Sequence, residues 1–128
     1  MILFLTHVFF YDIWFYMSHV LLHRPQLYWI HKLHHSKLNP TFPDTYLGHP
    51  LESPLQGLGF LVPFATQIPF NWVETTLALL FVNVRGILRH DARTAWLVGT
   101  HHLLHHQHFT CNYGEYWIDA ICGTLRTC

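Results

Sequence analysis

The chain has 128 residues, seven Lys+Arg against seven Asp+Glu, and thirteen histidines. That length holds one domain, and zero net charge without a basic patch argues against nucleic acid as a partner. Apolar residues make up 51% and charged residues only 11%; a soluble domain usually carries about 25% charged residues, so the composition points to lipid contact.

Residues 1–22, MILFLTHVFFYDIWFYMSHVLL, are almost wholly apolar and aromatic. A membrane-spanning helix needs roughly 20 such residues. A signal peptide fits less well, because no basic leader and no small-residue cleavage site are present. His7, Asp12 and His19 lie inside the stretch, and ionisable groups at membrane depth usually face a protein interior. Residues 23–38 are polar by contrast and suit a helix at or beyond the membrane interface. Residues 39–50, NPTFPDTYLGHP, read as a loop.

A second apolar tract covers 55–70 and 72–88, with PFNW at 69–72 as the turn of a hairpin. A further histidine helix is expected near 96–108, followed by NYGEYWIDAICGT. If 1–22 crosses once and 55–88 enters and returns, every Lys and Arg falls on one side, together with the histidine clusters. Lys and Arg favour the cytoplasmic side, so the clusters are expected at the cytosolic face. Cys111, Cys122 and Cys128 are odd in number and form no CxxC, so neither a disulfide framework nor a zinc ribbon is read.

Three histidine runs carry the chemistry. SHVLLH places His19 and His23 at i, i+4. HKLHH places His31, His34 and His35 at i, i+3, i+4, and HHLLHH repeats that spacing with His102, His105 and His106, beside His101. On a helix these spacings share a face. The adjacent pair in each HxxHH diverges by about 100°, so one member can serve one metal and its neighbour a second. With His90, from GILRHD, nine ligands are available, enough for two histidine-rich centres or for one centre plus supporting partners. Imidazole suits Zn, Cu, Fe and Ni. No ExxH spacing, no HExxH and no Cys within the runs is present, which disfavours a carboxylate-rich di-iron bundle, a zinc protease and a zinc finger. A histidine-based zinc or copper transporter predicts ligands at mid-membrane, whereas most of these flank the apolar tracts.

The order SHVLLH, HKLHH, GHPLES, His90, HHLLHH, NYG at 112–114 and DAICGT at 119–124 resembles the fatty acid hydroxylase superfamily, whose members include sterol desaturases, sterol C4-methyl oxidases and fatty acid hydroxylases. The resemblance runs from residue 12 to residue 125. It implies a single hydroxylase-like domain over 1–128, an all-α integral membrane protein with its histidine-rich helices bundled at the cytosolic face. It implies two non-haem irons held by His19, His23, His31, His34, His35, His90, His102, His105 and His106. It further implies O2 as co-substrate, an electron donor such as cytochrome b5, and hydroxylation or desaturation of a membrane lipid, in the endoplasmic reticulum of a eukaryote. GHPLESPLQ leans toward the sterol desaturase branch. Three departures stand out, the first being that SHVLLH has three residues between its histidines where some hydroxylases have four. Members usually carry a further hydrophobic hairpin before the first motif, and some have a histidine four residues before His90, where this chain has Gly86. A rival expectation is a non-catalytic, metal-binding remnant that associates with membranes or with full-length relatives.

Three further residues are candidates for the layer behind the ligands. His101 stands beside the last run. His49 either supports the site or caps its own loop with Glu52. Asp119 either orients a ligand histidine or caps a turn. Asn112 and Gly114 are expected to shape a turn.

Overall fold

The computed structural model describes residues 1–126, and every regular element among them is helical. Cys128 lies outside the described residues. The α-helices are α1 (Ile2–Leu22), α2 (Tyr28–His31), α3 (Glu52–Gly57), α4 (Trp72–Arg89), α5 (Ala95–Val98), α6 (His101–His108) and α7 (Tyr116–Cys122). Short 3₁₀ segments at His34–Ser36, Phe42–Tyr46, Leu58–Ala65 and Ala92–Thr94 join them.

α1 is the rod on which the rest is built. The segment Leu58–Ala65 runs back along it: Trp14 Nε1 donates to Leu55 O at 2.7 Å, and the His7 ring bonds Phe60 O at 3.0 Å. Gly59 makes this approach possible, since a Cβ there would lie 2.3 Å from Trp14 Cβ and 2.9 Å from Phe10 O. α4 then runs parallel to α1. Glu74, in its first turn, accepts from Phe4 N at 3.0 Å, and Arg85, toward its end, pairs with Asp12. The hairpin expected over 55–88 is therefore present, with Asn71 capping α4 by accepting from Glu74 N at 3.1 Å. Its first half is not a regular α-helix, because Pro63 removes a donor and Gly57 and Gly59 weaken the helical preference.

The expected membrane span over residues 1–22 forms the helix, but no helix among the described residues is long and apolar enough to cross a membrane. α1 has 21 residues, yet Thr6, His7, Asp12, Ser18 and His19 interrupt its apolar run. Several of these groups turn inward: His7, Asp12, Ser18 and His19 are buried, while Ile2, Leu5, Phe9, Met17 and Leu21 are exposed. α4 exposes Trp72, Val73, Leu77, Leu80, Phe81 and Val84.

Because α1 and α4 are parallel, both end on the same side, and the histidine runs gather there. HKLHH does not stay on one regular helix: α2 stops at His31 and the chain tightens into the turn His34–Ser36. Lys32 (φ −57°, ψ −30°) and Leu33 (φ −70°, ψ −37°) keep right-handed helical torsions, so the three histidines stay close to their helical placement. The helix expected near 96–108 is divided at Gly99, and α6 carries HHLLHH alone.

Candidate metal centre

The nine histidines converge as two groups. His19, His23, His31, His35 and His105 form one, and His34, His90, His102 and His106 form the other; within each group one ring nitrogen per residue lies within 4.8 Å of all the rest. Adjacent histidines separate as the helical divergence requires: His34 and His35 enter different groups, as do His105 and His106. The sides contributing i, i+4 pairs are His19 with His23, His31 with His35, and His102 with His106.

The outer nitrogens are held in a defined way. His19 Nδ1 donates to Tyr113 O at 2.6 Å, His105 Nδ1 to Cys111 O at 2.7 Å, and His90 Nδ1 to Gly86 O at 2.7 Å. His34 Nδ1 donates to Leu47 O and His106 Nδ1 to Lys37 O, each at 3.2 Å. A carbonyl only accepts, so each of these rings carries its proton on Nδ1 and leaves Nε2 as a bare lone pair. His31 Nδ1 lies 2.7 Å from Glu52 Oε1.

The inner nitrogens then face one another. His34 Nε2 and His90 Nε2 are 3.1 Å apart, and His90 Nε2 and His102 Nε2 are 3.0 Å apart. In the other group, His19 and His31 approach at 2.9 Å, His105 and His35 at 3.0 Å, and His23 and His105 at 3.1 Å, all through Nε2. His34 and His90 have both Nδ1 protons committed to carbonyls, so their contact places two lone pairs against each other and cannot be a neutral hydrogen bond. A cation between them would be accepted by both lone pairs. Burial disfavours a proton in that role near neutral pH: it lowers His34 and His105 to about 3 and His23 to about 4. His31, His35, His90 and His102 are lowered by the same cause, and neighbouring histidines add to it for His31, His35 and His102. His106 Nε2 is buried with no hydrogen-bond partner.

These distances suit metal ligation. With a metal–imidazole bond of about 2.1 Å, ligands at right angles sit about 3.0 Å apart and tetrahedral ones about 3.4 Å apart. The closest ring nitrogens, 2.9–3.1 Å apart in groups whose members all lie within 4.8 Å, are at the spacing of ligands that can share one ion. The residues present fit metal ions at both groups.

The supporting candidates divide. His101 lies in neither group; its Nε2 donates to Asp119 Oδ2 at 2.9 Å. His49 also stands apart, packing on Trp29 and accepting from Leu51 N at 3.2 Å, so it caps its own loop. Asp119 touches no grouped histidine. It accepts from Tyr113 N at 2.9 Å, Gly114 N at 2.8 Å and Thr124 Oγ1 at 2.6 Å, and so fixes the turn whose Tyr113 carbonyl holds His19. Burial alone would raise its pKa, but the hydrogen bonds from His101, Thr124 and the two backbone amides bring it below the ordinary carboxylate value. Asn112, at φ 57°, is fully buried and binds His101 O at 3.2 Å and Arg126 O at 3.0 Å. Gly86, one helical turn before His90, contributes only its carbonyl, and a Cβ there would meet open space.

Glu52 was absent from the expected set. Buried in the first turn of α3, it lies 2.7 Å from His31 Nδ1 and 4.0 Å from His34 Nδ1. Burial pushes it up to about 8 in the metal-free protein, and a cation on either histidine favours the carboxylate. The signal in the sequence was a lone carboxylate after GHP with no Lys or Arg at helical spacing.

A cavity of about 450 Å³ opens onto both groups. His19, His34, His90, His102 and Glu52 line it on one side, and Phe15, Leu58, Phe60, Leu61, Leu79 and Val82 supply apolar wall.

The family model for fatty acid hydroxylase matches residues 4–124. The chain belongs to the fatty acid hydroxylase family. Among curated proteins it is 32% identical over 133 residues to Delta(7)-sterol 5(6)-desaturase ERG3B of Gibberella zeae, covering 95% of this chain and 41% of that protein. It is 31% identical over 130 residues to the ERG3 desaturase of Saccharomyces cerevisiae, covering 94% and 35% respectively. It is also 31% identical over 125 residues to methylsterol monooxygenase 1 of Gallus gallus, covering 88% and 42%. The chain of this fatty acid hydroxylase family member thus spans roughly two-fifths of these relatives' lengths. No solved structure matches it.

Proposed function

We propose that this chain is the metal-binding core of an iron-dependent, O2-using lipid hydroxylase or desaturase, with a sterol-like substrate. The observation that carries the metal assignment is the pair of facing Nε2 lone pairs on His34 and His90, 3.1 Å apart with both Nδ1 protons already committed. Two groups of five and four histidines then hold one iron each. Bound iron with O2 supplies the C–H oxidation that no side chain can perform.

The chain's own residues bind and orient. Carbonyls of Tyr113, Cys111, Leu47, Gly86 and Lys37 fix the imidazole rings, leaving Nε2 directed inward. The cavity beside them admits an apolar molecule, and its volume falls in the range of small-molecule sites. Sterol-acting relatives at about 31–32% identity support a sterol over a straight acyl chain. The apolar outer faces of α1 and α4 support association with a membrane, in line with endoplasmic reticulum placement in a eukaryotic source and histidines toward the cytosol. Electrons come from a cytochrome b5-type donor in this reading.

The test is direct. Detergent-purified protein is loaded with Fe(II), supplied with a reducing system, and given Δ7-sterols, 4-methylsterols and fatty acyl lipids in turn. Sterol-dependent O2 uptake with an oxidised sterol by mass spectrometry is expected. Metal binding without product from any lipid would favour the non-catalytic metal-binding reading. Failure to bind any divalent metal would overturn the assignment of the histidines.

A further inference from the structure

The two histidine groups bring nine neutral ligands to buried cations, and neutral ligands leave the ions' charge uncompensated. Among the described residues, Glu52 is the one carboxylate within 4.0 Å of a grouped histidine nitrogen. It reaches one histidine from each group: His31 of the five and His34 of the four. The two contacts are unequal. At 2.7 Å from Oε1, His31 Nδ1 is hydrogen-bonded; at 4.0 Å, His34 Nδ1 is within electrostatic range but donates instead to Leu47 O at 3.2 Å.

Gly48 leaves the space that Glu52 occupies. A Cβ at Gly48 would stand 2.5 Å from Glu52 Oε2 and 3.2 Å from its Cδ. That oxygen is buried and has no hydrogen-bond partner, so the hydrogen bond to His31 is the side-chain bond that holds the carboxylate head, with the His49 backbone amide beside it. Glycine at 48 and glutamate at 52 therefore form one device, with the loop from His49 to Glu52 closed by Glu52 N donating to His49 O at 2.9 Å.

Resting on the metal reading above, we propose that Glu52 is the shared positioning residue of both centres, orienting His31 through a carboxylate–histidine hydrogen bond, lending negative charge to His34, and depending on Gly48 for its place. A carboxylate on the outer nitrogen of a ligand histidine fixes ring orientation and raises ligand basicity. The geometry makes the effect larger at the five-histidine centre, where the contact is a hydrogen bond, and smaller at the four-histidine centre, where it acts through space.

The experiment measures metal affinity, not turnover. Detergent-purified chain is titrated with Co(II), following its ligand-field absorption, and metal release is followed against a chelator. The pair His90→Ala and His102→Ala leaves the five-histidine centre to report alone, and the pair His19→Ala and His105→Ala leaves the four-histidine centre. Glu52→Gln, isosteric and able to fold, is introduced into each background, with Glu52→Ala beside it. Loss of such a supporting partner typically weakens metal binding by about 10–100-fold. We expect a loss in that range for Glu52→Gln at the five-histidine centre, a smaller but measurable loss at the other, and a greater loss with Ala at both. Gly48→Ala should reproduce the Glu52→Gln pattern, because the displaced group is the movable end of a side chain. Gly57→Ala, whose added methyl meets nothing within 4 Å, should leave affinity unchanged. Unchanged affinity in Glu52→Gln at the five-histidine centre would overturn the proposal, as would equal or larger losses at the four-histidine centre. Both outcomes presuppose that the unsubstituted chain binds Co(II). Failure at that step overturns the metal reading itself and is thereby told apart.

Discussion

Replacing Asp119 by alanine tests whether a carboxylate that touches no grouped histidine still governs one centre. The side chain is fully buried and accepts from His101 Nε2, Tyr113 N, Gly114 N and Thr124 Oγ1. In Asp119→Ala the Thr124 hydroxyl can rotate, but His101, whose Nδ1 is buried without a partner, gains nothing from its other tautomer, and the two backbone N–H groups have no freedom to turn away. A buried donor left unsatisfied costs about 1–3 kcal/mol, so the two together cost about 4 kcal/mol. That is a large share of the roughly 5–15 kcal/mol by which a domain is stable. At this chain length it lowers Tm by more than about 10 °C. Asp119→Asn keeps the bonds at one oxygen and turns a donor toward Gly114 N, so about half that loss is expected. The assay is thermal unfolding by far-UV circular dichroism on metal-free protein, with Co(II) titration alongside. Since Tyr113 O and Cys111 O, on this turn and just before it, hold His19 and His105, affinity should fall first at the five-histidine centre. A Tm within about 2 °C of the unsubstituted chain would refute the reasoning. So would weakening confined to the four-histidine centre.

Paired ligand losses should be centre-selective: His19→Ala with His105→Ala, or His90→Ala with His102→Ala, lowers bound metal from two to near one per chain by elemental analysis, whereas loss of both ions from either double variant would contradict the division into two groups. Arg85 sits between Asp12 and Glu115, with its side chain only 15% exposed. Breaking such a buried pair costs about 3–5 kcal/mol, so Arg85→Ala should lower Tm strongly. The double variant with Asp12→Ala should recover part of that loss, and additivity of the two single effects would count against the pairing. Burial holds His23 at about 4 and His34 and His105 at about 3, against about 6.5 when unfolded. The folded state thus binds fewer protons; the stability these residues support is complete above about pH 6.5 and is lost as pH falls from there toward 4. Tm of chelator-treated protein should drop between pH 7 and pH 5, and a flat profile would argue against buried neutral imidazoles.

Much of the site was legible because helical spacing is a local property. Adjacent residues on a helix diverge, so His34 and His35, or His105 and His106, had to face different ways whatever the tertiary fold. The nine histidines follow that rule into two groups even where HKLHH leaves the regular α-helix. What supports them was not legible, because it depends on which loop passes behind each ring. His49 was the more conspicuous residue of GHPLE, yet the loop turns it onto Trp29 while Glu52 takes the inner position. His101 looks like a member of its run, but one step of about 100° on α6 points it at Asp119. The helix over residues 1–22 was plain from its apolar content. Its inward polar face was not, since His7, Asp12 and His19 find Phe60, Arg85 and Tyr113 respectively, each more than 50 residues away.

The parallel course of α1 and α4 divides the cavity's construction between separate stretches of chain. Its greasy wall comes largely from the hairpin, through Leu58, Leu61, Leu79 and Val82, while the nitrogens that meet at its closed side come from the rod ends, the 31–35 turn and α6. Side chains of the hairpin can therefore be exchanged, reshaping what fits and how deeply it enters, with no ligand moved. A fold partitioned in this way lets one fixed arrangement of imidazoles be refitted to molecules of new outline by a handful of changes confined to residues 58–82.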